Sequence, residues 1–137
     1  MTGQRRDNMQ ILVVDDEEDI CWVLQHIMEA EGHRVSIAHD AAKALHLLAC
    51  ISFDLCFVDA KLPDMEGTDL IDRLHGVRST LPCVLVSGYL YMDDDIVQTS
   101  LRSGRVSAFI GKPFLLAEVR DALRLAHHPS HGMESIP

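Results

Sequence analysis

Positive charge is scarce in this chain: 12 lysines and arginines stand against 21 aspartates and glutamates, for a formal net charge of −9 and a pI near 5.2. Little here would neutralise phosphates, so nucleic acid and anionic membranes are poor direct partners, and a metal ion or cationic group is a better one. Long apolar runs are missing too. No stretch approaches the roughly 20 residues that span a bilayer, and Met1 to Asn8 is polar where a signal peptide needs an apolar segment, so the expected location is the cytoplasm. Cysteine is confined to Cys21, Cys50, Cys56 and Cys83, with no C-x-x-C spacing, which argues against zinc or a structural disulfide; three of the four read as small buried hydrophobes. The eight histidines show no H-E-x-x-H arrangement, and their one cluster, His127-His128-Pro129-Ser130-His131, reads as a solvated tail. A glycine-rich phosphate loop is also lacking. After the first apolar run comes Asp15-Asp16-Glu17-Glu18-Asp19, which would repel a pyrophosphate and counts against dinucleotide, ATP-loop and flavin sites.

What remains is an ordinary globular composition, 47% apolar over 137 residues, enough for one domain with a real core. Strand and helix patterns alternate. Gln10 to Val14, Arg34 to Ala38, Leu55 to Val58, Leu81 to Val86 and Val106 to Ile110 read as strands. Between and after them, Glu17 to Glu31, Asp40 to Cys50, Thr68 to Leu74, Asp93 to Ser103 and Phe114 to Ala126 read as helices, with Asp40 as a cap and Gly32, Gly76 and Gly104 as stops. The first helix carries an apolar stripe of Ile20, Val23, Leu24, Ile27 and Met28. Strands that are apolar throughout must be covered on both faces, so the expected fold is α/β, a (βα)5 doubly wound five-stranded parallel sheet, flavodoxin-like, in the order 2-1-3-4-5.

Three of these runs end on Asp15-Asp16, Asp59 and Ser87, and a fourth stops just before Lys112-Pro113. The order 2-1-3-4-5 gathers all five polar groups at one carboxyl edge, beside the switch point between strands 1 and 3. Crowded carboxylates either take up protons or hold a cation, and an all-oxygen set suits Mg2+, or Mn2+, better than zinc. Lys112 and Ser87 can meet the equatorial oxygens of a phosphoryl group from the other side, with Asp59, central in the edge, as the nucleophile. Taken singly, each of these residues reads as a helix cap or turn former; the agreement of four strand ends favours a shared pocket.

The motifs Val13-Val14-Asp15-Asp16-Glu17, Val58-Asp59, Leu62-Pro63-Asp64-Met65-Glu66-Gly67, Val86-Ser87-Gly88-Tyr89 and Lys112-Pro113-Phe114 resemble the receiver domain of two-component response regulators, over about Gln10 to Ala126. The resemblance implies that Asp59 accepts a phosphoryl group from a histidine kinase or histidine phosphotransfer protein. It implies Mg2+ held by Asp16, Asp59 and the Lys61 carbonyl, with Asp15 acting largely through water. It implies phosphoryl contacts from Ser87, Lys112 and the amides of Ala60 and Gly88, and a cis Lys112-Pro113 bond. A switch is implied as well: Ser87 drawn inward would let Phe109 turn inward, reshaping the face of the fourth helix, fifth strand and fifth helix for a downstream protein effector. Phe109 reads equally as a core aromatic.

Some residues depart from the family's common pattern or lie outside it. Ser87 stands where Thr is more frequent. Lys61 and Tyr89 occupy positions that tune phosphate lifetime in similar proteins, although Lys61 could instead pair with Glu66 or Asp64. The passage from Ser87 to Lys112 is a few residues longer than usual. Ile20 and Val23 lie where similar domains dock the phosphodonor, yet the helical stripe favours them as core; Trp22 is an interface anchor or the cover of a loop. Residues 1–9 are expected as an extension and 127–137 as a disordered tail. Two other readings are a receiver-like interaction module without phosphorylation and a phosphatase with an Asp nucleophile. The phosphatase is weakened by Lys61, which stands where a proton-donating acid would be needed.

Overall fold

The structure, a computed structural model, describes residues 8–134 along the backbone and the side chains of residues 8–126. Five strands, β1 (Gln10–Val14), β2 (Arg34–Ala38), β3 (Leu55–Asp59), β4 (Cys83–Ser87) and β5 (Ala108–Gly111), alternate with five helices. These are α1 (Glu18–Ala30), α2 (Ala41–Cys50), α3 (Gly67–Val77), α4 (Asp95–Arg102) and α5 (Leu116–Glu134). All strand pairs are parallel, in the order β2-β1-β3-β4-β5, as expected.

Successive side chains of a strand point to opposite faces, and each face has its own core. Leu12, Val14, Cys56, Val58, Cys83 and Leu85 face α2 and α3, where they meet Leu48, Leu70, Ile71 and Leu74. Ile11, Val13, Phe57, Val84, Val86 and Ile110 face α1 and α5, meeting Leu24, Met28, Val119 and Leu123. Burial on both sides explains why the central strands are apolar throughout. Cys21, Cys56 and Cys83 are indeed buried, while Cys50 is exposed.

Local signals hold at most boundaries. Asp40 accepts from the Lys43 amide at 2.8 Å and caps α2. Gly32 (φ +93°) and Gly104 (φ +80°) take the left-handed conformation that ends helices cleanly. The third helix ends near Gly76, as expected, its last residue being Val77. The inward line of α1 is displaced from the expected stripe. Cys21, Leu24 and Met28 are buried, Ile20 and Ile27 are partly so, and Val23 is exposed. Cys21 shares the inward face with Leu24 and Met28, and its thiol donates to the Asp15 carbonyl at 3.2 Å.

After Ser87 the chain forms a turn ahead of α4, which is shorter than the expected Asp93 to Ser103: the Asp94 amide donates to the Tyr91 carbonyl (3.0 Å), and the Tyr91 amide to the Asp94 carboxylate (2.8 Å). α5 begins at Leu116, two residues after the expected Phe114, and its backbone continues past Ala126 to Glu134. The tail expected from 127 thus falls partly on helical backbone and otherwise outside the described residues. Of the expected extension, Met9 is buried, its amide donating to His33 Nδ1 at 3.1 Å; 1–7 lie outside the described residues.

Candidate functional site

Register places the polar residues together. Val14 pairs with Val58, Asp59 with Val86 and Ser87 with Gly111, so Asp15, Asp59, Ser87 and Lys112 lie side by side at the carboxyl edge. Asp59 and Lys112 line an open cleft of about 870 Å3, together with Asp16, Glu17, Ile20, Lys61, Gly88, Tyr89 and Pro113. The Lys112-Pro113 bond is cis.

The backbone of Asp15 is held from several sides. Its amide donates to the Ala38 carbonyl at 3.0 Å, and its own carbonyl meets both the Cys21 thiol and His39 Nδ1, the latter at 3.0 Å. Its carboxylate accepts the Glu17 amide at 2.8 Å. Asp59 is positioned by the loop behind it. The Gly67 amide donates to the Ala60 carbonyl at 2.7 Å, and a Cβ at Gly67 would lie 2.1 Å from the Asp59 carbonyl oxygen, so only glycine fits there. Asp64 in this loop accepts the amides of Ala41 and Ala42 and ties the loop to the start of α2. Those bonds, the Ala41 amide foremost, hold its carboxyl below the usual range. Asp64 is thus engaged at a helix start, and Lys61 lies at the cleft mouth, where its backbone pairs with Glu66.

Lys112 sits amid three carboxylates: its Nζ is 2.6 Å from Glu17, 3.0 Å from Asp15 and 3.5 Å from Asp59. Burial alone would lower its pKa. The bonds to Glu17 and Asp15, with the charges of Asp15 and Asp59, more than reverse this and hold it above the ordinary lysine value. For Asp59, burial and then the Asp15 charge push the carboxyl from 3.8 up to about 6, against partial relief from Lys112 and the Lys61 amide. A crowded carboxyl that resists ionisation, as Asp59 does, is a group a divalent cation satisfies. Oxygens of Asp15, Glu17 and Asp59 lie within 4.8 Å of one another, an all-oxygen set that fits a hard cation.

The expected roles are redistributed in three places. Asp16 is exposed at the cleft mouth and stands outside that tight cluster, while Glu17, to which the sequence reading assigned no role, stands within it. The Ala60 amide donates to the Val86 carbonyl at 2.8 Å; it is committed to the sheet, and the amide facing the Asp59 carboxylate is that of Lys61, at 3.4 Å. The Ser87 hydroxyl accepts the amides of Tyr89 and Leu90, both at 2.9 Å, so its oxygen is engaged by its own loop. Gly88 lines the cleft, where a Cβ would approach the Lys112 side chain at 3.8 Å.

Around the site, Tyr89 (71% exposed) and Trp22 (60%) stand out into solvent, and Trp22 stacks on His26 with ring centroids 3.8 Å apart. Phe109 is partly buried against the core face of α2 and α3. No local sequence pattern marks His39 and Cys21 as site residues, because both meet the site only through the Asp15 backbone; Gly67, within the Leu62 to Gly67 motif, owes its place to the close approach of the Asp59 carbonyl.

Residues 11–124 match the response regulator receiver domain family, and the chain belongs to it. Receiver domains are signalling switches. The uncharacterized transcriptional regulatory protein YkoG of Bacillus subtilis is 36% identical over 118 residues, covering 83% of this chain and 50% of that protein. Sporulation initiation phosphotransferase F of the same organism is 29% identical over 117 residues, covering 85% and 92%. Among solved structures, the signal receiver domain of an HD domain-containing protein from Pseudomonas fluorescens Pf-5 superposes with a TM-score of 0.81 at 30% identity, over 91% of this chain and 98% of that one. The chain thus spans about half of one curated relative and nearly all of the other.

Proposed function

We propose that this receiver takes a phosphoryl group onto Asp59 from a phosphohistidine of a histidine kinase or phosphotransfer protein, and so acts as a switch in the cytoplasm. The observation that carries the reading is Asp59 itself: a buried carboxylate at the switch point, crowded by Asp15 and faced by the Lys112 ammonium at 3.5 Å. The phosphotransferase in the name of the Bacillus relative supports the same chemistry.

An Asp59 oxygen attacks phosphorus, the bond from phosphorus to the imidazole nitrogen breaks, and the imidazole leaves with its electron pair. Bound Mg2+, or Mn2+, would supply charge neutralisation between carboxylate and phosphoryl group; Asp15, Asp16 and Asp59 with the Lys61 carbonyl are the groups that would hold it, while Glu17 is engaged by Lys112. Lys112 neutralises a phosphoryl oxygen, and the Lys61 and Gly88 amides and the Ser87 hydroxyl donate to others. To do so Ser87 leaves the Tyr89 and Leu90 amides, loosening the turn ahead of α4, and Phe109 follows inward. The face of α4, β5 and α5 then meets a downstream effector. Lys61 and Tyr89 at the mouth limit water and set the phosphate lifetime, while Ile20, Trp22 and Val23 border the donor's approach.

Mass spectrometry after incubation with Mg2+ and a small acyl phosphate tests this. One added phosphate, lost in Asp59→Asn, is expected. No adduct on the unaltered chain would overturn the reading in favour of an interaction module, and steady turnover of phosphate esters would favour a hydrolase.

A further inference from the structure

The closest partner of Lys112 is neither Asp15 nor Asp59 but Glu17, at 2.6 Å against 3.0 Å and 3.5 Å. The three carboxylates differ in freedom as well as distance. Asp15 and Asp59 are buried and fixed by sheet and loop, whereas Glu17 is anchored only at its backbone, whose amide donates to Asp15, and its side chain is 59% exposed. An ammonium has three donors. Glu17 and Asp15 take short contacts, and Asp59 receives one too long for a strong hydrogen bond. A phosphoryl group on Asp59 would bring new oxygens to that same ammonium, and the partner with room to leave is Glu17.

We propose that Glu17 is a positioning residue that acts through Lys112: it holds the ammonium away from Asp59 in the resting protein and is displaced when a phosphoryl group arrives. The inference rests on the phosphoacceptor reading and deepens it. Glu17 lowers the affinity of the site for a phosphoryl group, because every phosphoryl contact of Lys112 must first break the pair with Glu17. The carboxylate so released turns to the cleft mouth between Lys112 and Ile20, so that the rim where a donor approaches differs between the two states.

Beryllium fluoride with Mg2+, a stable mimic of an aspartyl phosphoryl group, tests the proposal by calorimetric titration of the full chain. Glu17→Gln keeps shape and removes the charge; Glu18→Gln, exposed one residue further along, removes the same charge from the same segment and controls for general repulsion. Glu17→Gln is expected to bind the mimic about two- to fivefold more tightly, the range set by an exposed ion pair, with Glu18→Gln close to the unaltered chain. The side-chain ammonium resonance of Lys112 should also move in Glu17→Gln before any ligand is added, which a merely structural role for Glu17 would not produce. Equal affinity in Glu17→Gln and the unaltered chain, or an equal gain in Glu18→Gln, would overturn the role of Glu17 and leave the phosphoacceptor reading standing. Failure of the unaltered chain to bind the mimic would overturn both.

Discussion

Replacing Asp59 by Asn should make the metal-free protein more stable, by an amount that depends on pH. In the unfolded chain this carboxyl ionises near 3.8, and in the folded protein near 6. Between those values the folded state keeps a proton that the unfolded state has lost, so raising the pH favours unfolding; the cost is absent below about pH 4 and complete above about pH 6. At about 1.4 kcal/mol per pH unit, that displacement is worth about 3 kcal/mol at most. Asp59 is only 6% exposed but lines an open cleft, and screening by water there brings the figure to about 2 kcal/mol. An Asn carries no charge to desolvate, and Lys112 keeps Asp15 and Glu17 as partners. Asp59→Asn is therefore expected to gain about 2 kcal/mol at about pH 8, or about 6 °C in Tm for a domain of this size, and almost nothing at about pH 4. Urea unfolding in a chelator across that range measures it. Added Mg2+ should narrow the gap, since an ion bound only by the folded site stabilises the unaltered chain more. A gap of the same size at both ends of the range, or an unaltered chain more stable than Asp59→Asn at high pH without metal, would refute the argument from burial.

Two glycines of α3 should respond in opposite directions to alanine. Gly67→Ala places a Cβ against the Asp59 carbonyl and should cost several kcal/mol or prevent folding, whereas Gly76→Ala faces open space and should stabilise by roughly 0.5–1 kcal/mol in denaturant unfolding. Thiol titration should find Cys50 reactive in the native protein and the other three only after unfolding: burial, with the Asp15 charge, pushes Cys21 up to about 12, and burial beside Cys83 holds Cys56 well above the usual thiol range. Native labelling of more than one thiol would contradict that burial.

Most of the fold could be read along the chain because its signals are local. Apolar runs long enough for strands, helical stripes between them, the Asp40 cap and the glycines at 32 and 104 each act within a few residues. Their alternation leaves few topologies once crossovers must be right-handed and both sheet faces covered. The same reasoning brought Asp15, Asp59, Ser87 and Lys112 to one edge. It did not reach contacts between residues remote in sequence, such as the Asp15 carbonyl with His39 Nδ1 and Glu17 with Lys112.

The amino-acid sequence by itself determined the order of elements, the residue types at each strand end and hence the chemistry open to the pocket, since these follow from period and composition. Only the tertiary structure decided which groups touch. Sheet pairing commits the Ala60 amide to Val86 and turns that of Lys61 toward Asp59. Glu17 reaches Lys112 across 95 positions of sequence, and no local pattern records that contact, because it exists only once β1 and β5 stand in the same sheet with their ends at one edge.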